Sequence, residues 1–535
     1  MKKIALSISF VILLILVYIG YLFLPINYTV DKIQNKNFKI EKYGNIKVVY
    51  LSGNYEEIGY QHGLALKDDI HSMELKLKNI MKDTNFFENI AIRYTLKSYF
   101  KNIPVKYKKE MAEISKASKV SLDTIILLNV YDEIYNLYGC TNAAIWGKNT
   151  ENGEIIHGRN LDYMYVESIW DSNVLFVYDI KDENGFLSLN FPGIIGVLTG
   201  TNDKGISLGS MTSESVNESS SGIPTGILYR MILEKSNNVD DVEKILRSTK
   251  RTIGNNLMIG SKKDKKAVVF EFDSKYLEKI ENDNIITSTN HFTKLKNKKL
   301  DYLKDTKTRK EEAYSKLNHE KLSAKDMIDV LRFREGDNPI CKWGTVQSVV
   351  FLPTSSQIYV AANDSPYAPT GRYFKFKYEN NQLSYLKTVD YIDDYLDYIS
   401  YISKENLKSG KWKKEKILSI LNSFLKYKDI KNVWKKQDII FYLDDVGLKN
   451  EAQKYIKDVI DYMNDNKIKY ENSKNKKDYS EVKENYIYSL MVLTQVYNER
   501  KEYEKVRKYA NIGLNIENSY EDEFFKSILT STNKK

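Results

Sequence analysis

Cys140, one of two cysteines in 535 residues, follows a glycine and opens a strand-like segment, YGCTNAAIWGKNTENGEIIHGRNLDY, that leads into Arg159-Asn160-Leu161-Asp162. A thiol placed after the one residue type with no side chain to obstruct attack on its carbonyl could cut the Gly139–Cys140 bond itself. The new terminus would carry its own base, an α-amine of unperturbed pKa about 7.7 to 8.0, beside its nucleophile. The chemistry expected is amide cleavage by a chain that first processes itself. A disulfide between Cys140 and Cys341 would consume the nucleophile, so both are read as free thiols. The five histidines show no ligand-like spacing, so no metal and no cofactor is expected.

The elements that must position this cysteine follow from periodicity. Asn54-Tyr55-Glu56-Glu57 is a capping pattern that opens an amphipathic helix, and further helical periodicity runs over 86–101, 108–118 and 122–135. From Cys140 the period falls to two, with strands over 141–146, 154–159, 173–180, 186–195 and 196–200, and a turn at 202–205 into 206–211. Helices near 224–235 and 239–249, strands at 254–260, 266–272 and 284–290, helices near 306–318 and 324–332, and a hairpin of 345–352 with 357–362 follow. Grouped strands and grouped helices predict an α+β fold of stacked antiparallel sheets flanked by helices.

Beyond about residue 395 strand signals stop. Helix pairs at 434–446 with 449–463 and 482–498 with 501–516 are joined by turns resembling those of tetratricopeptide-like repeats, and leave a peptide-binding solenoid or a small bundle open. At the other end, Lys2-Lys3 precede an uncharged stretch, Ile4 to Leu24, long enough at about 1.5 Å per residue to cross a core of about 30 Å. The expectation is a single-pass cell-membrane anchor over residues 4–24, with the later domains on the extracytoplasmic side and a polar stalk to about residue 45. The expected units are 1–27 (anchor), 28–139 (stalk and helical prosegment), 140–394 (catalytic) and 395–535 (helical). The net charge of +10 lies on lysine-rich helices without arginine-aromatic interleaving, so nucleic acid is not an expected partner.

Several stretches, in order over about residues 46–390, resemble the N-terminal-nucleophile hydrolases of the penicillin acyl-CoA acyltransferase (peptidase C45), choloylglycine hydrolase and acid-ceramidase-like group. GNYEEIGYQHG (53–63) is similar to a prosegment helix of the first branch, and Gly139-Cys140-Thr141 to its cleavage junction. Arg159-Asn160-Leu161-Asp162, the hairpin at Gly200–Ile206, Thr289-Asn290-His291-Phe292, Thr308-Arg309 and Gly344-Thr345-Val346-Gln347-Ser348 are similar to later family segments. The resemblance implies a four-layer αββα sandwich over 140–394, with Cys140 as nucleophile, Arg159 favouring its thiolate, Asp162 orienting amine or thiol, and Asn290 donating to the oxyanion. Thr308 and Arg309 are substrate-side candidates, and Thr212 stands where choloylglycine hydrolases have a second asparagine, which argues against bile-salt specificity. The structural alternatives are an Arg159–Asp162 ion pair, a turn-closing Asn290 and a solvated Thr308-Arg309. The implied function is a self-processing amidohydrolase or acyltransferase acting on a small linear N-acyl amide. The alternative is a surface-tethered scaffold whose C-terminal helices bind a protein partner while the hydrolase fold stays inactive.

Overall fold

Two β-sheets stacked face to face carry the chain from Lys39 to Val389. The computed structural model describes residues 2–30, 33–82, 84–135, 138–163, 169, 171–296, 303–333, 339–342, 344–364, 368–389, 414–415, 418, 433–472, 479–516 and 522–532. One sheet has nine strands in the order β1 (Lys39–Tyr43), β2 (Ile46–Gly53), β5 (Val174–Ile180), β6 (Phe186–Asn190), β7 (Thr199–Asn202), β8 (Ile206–Thr212), β9 (Asn255–Ser261), β10 (Lys266–Phe272) and β11 (Leu277–Ile280). The other has seven, in the order β12 (Ile285–Ser288), β3 (Tyr138–Gly147), β4 (Gly153–Tyr163), β13 (Thr345–Leu352), β14 (Gln357–Ala362), β15 (Tyr373–Glu379) and β16 (Gln382–Val389). Neighbours are antiparallel except β2 and β5, which run parallel.

Alternation puts one face of each sheet into a shared core. Val48, Leu175 and Leu187 of the first sheet cluster with Val349, Phe351, Val360 and Phe376 of the second. Fully burying such a side chain contributes about 1.5 to 3 kcal/mol. Helices cover the outer faces. On the first sheet α2 (Tyr55–Ala65) lies on β2 and α7 (Thr225–Lys235) on β7, with α8 (Val239–Ser248) beside α7. On the second, α9 (Leu303–Leu317) lies on β12 and β3, and α10 (Ala324–Leu331) on β4 and β13. The result is an α+β sandwich.

The region before Cys140 is interlocked with these layers. It contains α2, α3 (Lys67–Ile80), α4 (Phe86–Asn102), α5 (Val105–Ser118) and α6 (Leu122–Tyr135). Asn54 caps α2 by accepting from Glu57 N at 2.9 Å, and Glu57 returns to Asn54 N at 3.0 Å, a box worth about 1 kcal/mol. Gly59 and Gly63, one turn apart, let α2 lie directly on α5: a Cβ at 59 would stand 2.3 Å from Glu110 O, and one at 63 would stand 2.6 Å from Ile114 O. The GNYEEIGYQHG pattern is thus a cap followed by a helix-packing seam. The amphipathic helix expected from residue 54 ends at Leu66, whose φ of −121° is not helical, and α3 starts immediately after it.

Three expectations are corrected. The polar stalk contains β1, which pairs with β2 from Lys39↔Tyr50 to Tyr43↔Ile46. The hairpin of β13 and β14 is not the last, because β15 and β16 extend its sheet. Nor is the membrane location sustained: among the described residues no helix is long and apolar enough to cross a membrane. The end of α1 (Lys2–Phe23) packs on protein instead, with Leu22 buried, Phe23 stacked on Phe86 and the Arg93 guanidinium 4.6 Å from the Phe23 ring. Side chains 4–12 of the expected anchor, and the expected boundary at 394/395, lie outside the described residues.

The chain divides into two compact units, Met1–Asp390 and Tyr391–Lys535. The second is helical, with α11 (Val433–Asp445), α12 (Lys449–Asn472), α13 (Tyr479–Glu499), α14 (Tyr503–Leu514) and α15 (Asp522–Thr532) around an apolar core that includes Leu443, Ile456, Leu490, Leu493 and Phe525. These helices have 13, 24, 21, 12 and 11 residues and repeat no common two-helix length, so the tetratricopeptide-like expectation is not supported.

Candidate active site

Strand parity organises the site. In the β3–β4 ladder Gly139 opposes Asp162, Cys140 opposes Leu161 and Asn142 opposes Arg159. Successive side chains point to opposite faces, so Cys140 and Arg159 are diagonal neighbours on the face toward the nine-stranded sheet, while Asp162 and Thr141 lie on the face toward α9. Arg159 and Asp162, an odd number of residues apart, therefore point away from each other; a direct ion pair between them is absent among the described residues.

Each face has its own supports. On the inner face Arg159 Nε donates to Thr199 Oγ1 at 2.7 Å and Nη1 donates to Ser210 O. Thr199 in turn donates to Gln347 Oε1 at 2.9 Å. On the outer face Thr345 Oγ1 donates to Asp162 Oδ1 at 2.6 Å, whereas Asp162 Oδ2 is buried without a hydrogen-bond partner. That oxygen stands 3.1 Å from where a Cβ would sit on Gly139, so a side chain there would crowd the carboxylate. Ser348 Oγ donates to Asn160 Oδ1 at 2.7 Å. Thr345, Gln347 and Ser348 thus brace Asp162, Thr199 and Asn160, which explains the length of the 344–348 pattern.

The junction itself is gripped from two sides. Ser288 opposes Asn142, so the register carries Asn290 opposite Cys140, where its Oδ1 accepts the Cys140 N–H at 2.6 Å. Asn290 Nδ2 donates to Thr212 O at 2.9 Å, tying the two sheets together beside the cysteine. Arg309 on α9, 1% exposed, donates through Nη1 to Cys140 O at 2.6 Å and Thr141 Oγ1 at 2.9 Å, and through Nη2 to Asn290 Oδ1 at 3.1 Å. Asp305 holds Arg309 Nε at 3.0 Å and Lys342 at 2.5 Å. Arg309 is therefore not a solvated helix residue. Thr308, half-buried on the same helix, does not line the space at Cys140.

That space is small. A cavity of about 10 Å³, the room one water molecule takes, is lined by Cys140 and Arg159 from one sheet, by Ser210, Thr212 and Asn255 from the other, and by Asp132 from α6. Burial pushes the Cys140 thiol up, Arg159 pulls it back and Asp162 pushes it up again. Burial also raises Asp162, partly offset by Arg309 and the Thr345 hydrogen bond. Asp132 is pushed up to about 8 by burial and then by Glu133.

Of the residues singled out from the sequence, Cys140, Arg159, Asp162, Asn290, Thr212 and Arg309 converge. Asp132, Ser210 and Asn255 were missed. The paired acids in the apolar LLNVYDEIY helix were a visible signal for Asp132; Asn255, on a fully buried strand, gave none.

Residues 148–364 match the family model described as acyl-coenzyme A:6-aminopenicillanic acid acyl-transferase. The chain is 23% identical over 264 residues to Protein dcd1B of Dictyostelium discoideum, covering 44% of this chain and 53% of that protein. It is 24% identical over 295 residues to acid ceramidase of Homo sapiens, covering 50% of this chain and 72% of that protein. The chain thus spans about half the length of the former. Among solved structures it is similar to the Caenorhabditis elegans ortholog of N-acylethanolamine-hydrolyzing acid amidase (TM-score 0.32, 20% identity, 40% of this chain and 93% of that one). A mutant of conjugated bile acid hydrolase from Clostridium perfringens is also similar (TM-score 0.28, 15% identity, 47% of this chain and 97% of that one).

Proposed function

We propose that this chain acts as an N-terminal-nucleophile hydrolase, a reading supported by the family match and the acid ceramidase likeness, and that it cuts itself between Gly139 and Cys140 and then cleaves a small linear N-acyl amide through a Cys140 thioester. The observation that carries the reading is the buried, unpartnered Asp162 Oδ2 beside Gly139. An orphaned carboxylate oxygen costs about 1 to 3 kcal/mol; the ammonium that cleavage would create on Cys140 supplies the missing donor.

In the first step the Cys140 sulfur attacks the Gly139 carbonyl carbon. The S–C bond forms, the C–N bond breaks, and the thiol proton passes to the Cys140 nitrogen. Water then hydrolyses the thioester, leaving a carboxylate on Gly139 and restoring the thiol. Arg309, gripping Cys140 O, keeps the cysteine in place as its upstream neighbour departs, and Asn290 Oδ1, already 2.6 Å from the Cys140 nitrogen, becomes an acceptor for the new amine.

In turnover that amine takes the thiol proton, Arg159 favours the thiolate, and the sulfur attacks the substrate carbonyl. The leaving amine departs protonated and water releases the acid. Asn290 Nδ2 carries two N–H groups, so an oxyanion role would use the second while the first stays on Thr212 O. The helices after residue 433 are accessory in this reading, so deletion from about residue 400 leaves amidase activity intact.

The test is intact mass and N-terminal sequencing of the wild-type chain beside Cys140→Ala. A wild-type fragment beginning at Cys140 and absent from the variant is expected; a variant that still cuts defeats the mechanism.

A further inference from the structure

Asn290, the residue expected to donate to the oxyanion, has one of its two amide N–H groups engaged by Thr212 O. A second amide at the site has, among the described residues, both of its N–H groups free. Asn255 opens β9 and is 1% exposed, and its Oδ1 accepts from Met211 N at 3.2 Å, from Ser210 Oγ at 3.1 Å and from Tyr229 OH at 2.6 Å. A carboxamide oxygen has two lone pairs, so three donors saturate it. The Met211 main-chain N–H can only donate, which fixes which end of the amide faces β8. Nδ2 must then point the other way, and among the described residues no acceptor meets it. Asn255 lines the same water-sized cavity as Cys140 and Arg159, so an oxygen seated there lies within reach of sulfur and amide alike.

We propose that Asn255 is a catalytic residue, its Nδ2 donating to the substrate oxygen that turns negative when Cys140 attacks; this rests on the amidase reading above. As the S–C bond forms, the carbonyl π pair moves onto that oxygen, facing Asn255. The pair returns to carbon as the C–N bond breaks and the amine leaves with a proton from the Cys140 ammonium. The amide is aimed in advance by three partners on two elements, the condition under which such a donor contributes most, because nothing need reorganise during reaction. Tyr229 and Ser210 are positioning residues for it.

The experiment follows hydrolysis of N-dodecanoyl-7-amino-4-methylcoumarin by the full chain, with rates referred to the fraction bearing an N-terminal Cys140. Asn255→Asp and Asn255→Ala should lower kcat about 100- to 1,000-fold while KM stays within a few-fold. They should also lose most of the affinity for dodecanal, whose hemithioacetal oxygen would occupy the same place. Where these variants stay uncut, Tyr229→Phe serves: kcat should fall about 3- to 10-fold, as loss of one anchoring hydrogen bond predicts, with KM unchanged. An active wild type alongside variants of equal kcat, or a loss confined to KM, overturns this inference alone. A wild type that neither cuts itself nor turns over the amide overturns the amidase reading, and this inference with it.

Discussion

The seam between the helices before Cys140 and the layers that follow centres on a buried cluster of charges, whereas the C-terminal unit is held by an apolar core. At the seam Arg230 of α7 meets Glu110 of α5 at 2.8 Å and Glu234 at 2.9 Å, all three side chains 0% exposed. Lys106 and the hydroxyls of Tyr55 and Tyr107 also reach Glu234, at 2.7, 2.9 and 2.6 Å. Around it His62 of α2 accepts the Gly193 N–H at 3.0 Å, and Asn129 of α6 clasps Gly193 O, Ile195 N and Gly196 N. In the C-terminal unit the prominent ion pair, the two-pronged grip of Arg500 on Asp444 at 2.6 and 2.7 Å, keeps 10% and 17% side-chain exposure at the edge of that core. The contrast teaches that the seam is selective and brittle, since it tolerates only a complete set of charges, while the apolar core answers to volume alone.

The seam breaks hardest. Arg230→Leu leaves Glu110 buried without its cation and Glu234 with Lys106 alone, and should cost about 3 to 5 kcal/mol, read as lost hydrogen-exchange protection in peptides from 55–135 and 186–235. Protection unchanged within about 1 kcal/mol would falsify the idea that these charges hold the seam. Leu490→Ala should cost about 2 to 5 kcal/mol, confined to peptides from 433–532. A loss spreading into the sheets would blur the distinction between the two regions.

The seam should also titrate. His62 is pushed down to about 3 by burial and by Arg230, against about 6.5 in the unfolded chain. Its folded-state pKa is lowered, so the unfolded state binds the extra proton and stability is lost as pH falls from about 6.5 toward 3. Subtracting the unfolding curve of His62→Gln from that of wild type isolates this share, about 2 kcal/mol between pH 6.5 and 5; a flat difference would remove His62 from the account. Smallest of all, Arg500→Gln, which keeps an amide donor for Asp444, should cost about 1 kcal/mol by urea midpoint, and much more would mean that the C-terminal unit also depends on charge.

Much of the site could be read from the chain because its pieces are local. Gly139-Cys140 and Arg159–Asp162 lie on adjacent strands of one hairpin, and strand period alone sets which of them share a face. The 345–352 and 357–362 strands, rich in β-branched and aromatic residues, lie where expected. What escaped was non-local or unusual in its turn chemistry. Asn255 acquires its geometry from Ser210, Met211 and Tyr229, three residues on two other elements. The β15–β16 hairpin turns at Asn380-Asn381, both in the left-handed region at φ 49° and 58°, without the glycine that usually signals such a turn. The apolar N-terminal stretch carries a composition that suits lipid, yet its described end is packed against Phe86 and Arg93.

One strand bears on when the proposed cleavage could usefully happen. β2 precedes the junction by many residues, yet it lies between β1 and β5 and pairs in parallel with the latter from Lys47↔Val174 to Gly53↔Ile180. While the chain is whole, that pairing is a loop closure within one molecule. After a cut at Gly139 the same pairing joins two molecules, so a cut protein that unfolds must find its missing strand by collision, at a rate that depends on concentration. Under the proposed self-cleavage, folding must therefore come first and cutting second, and the cut would work as a ratchet: the cut protein would keep an architecture that its two fragments, diluted apart, could no longer find.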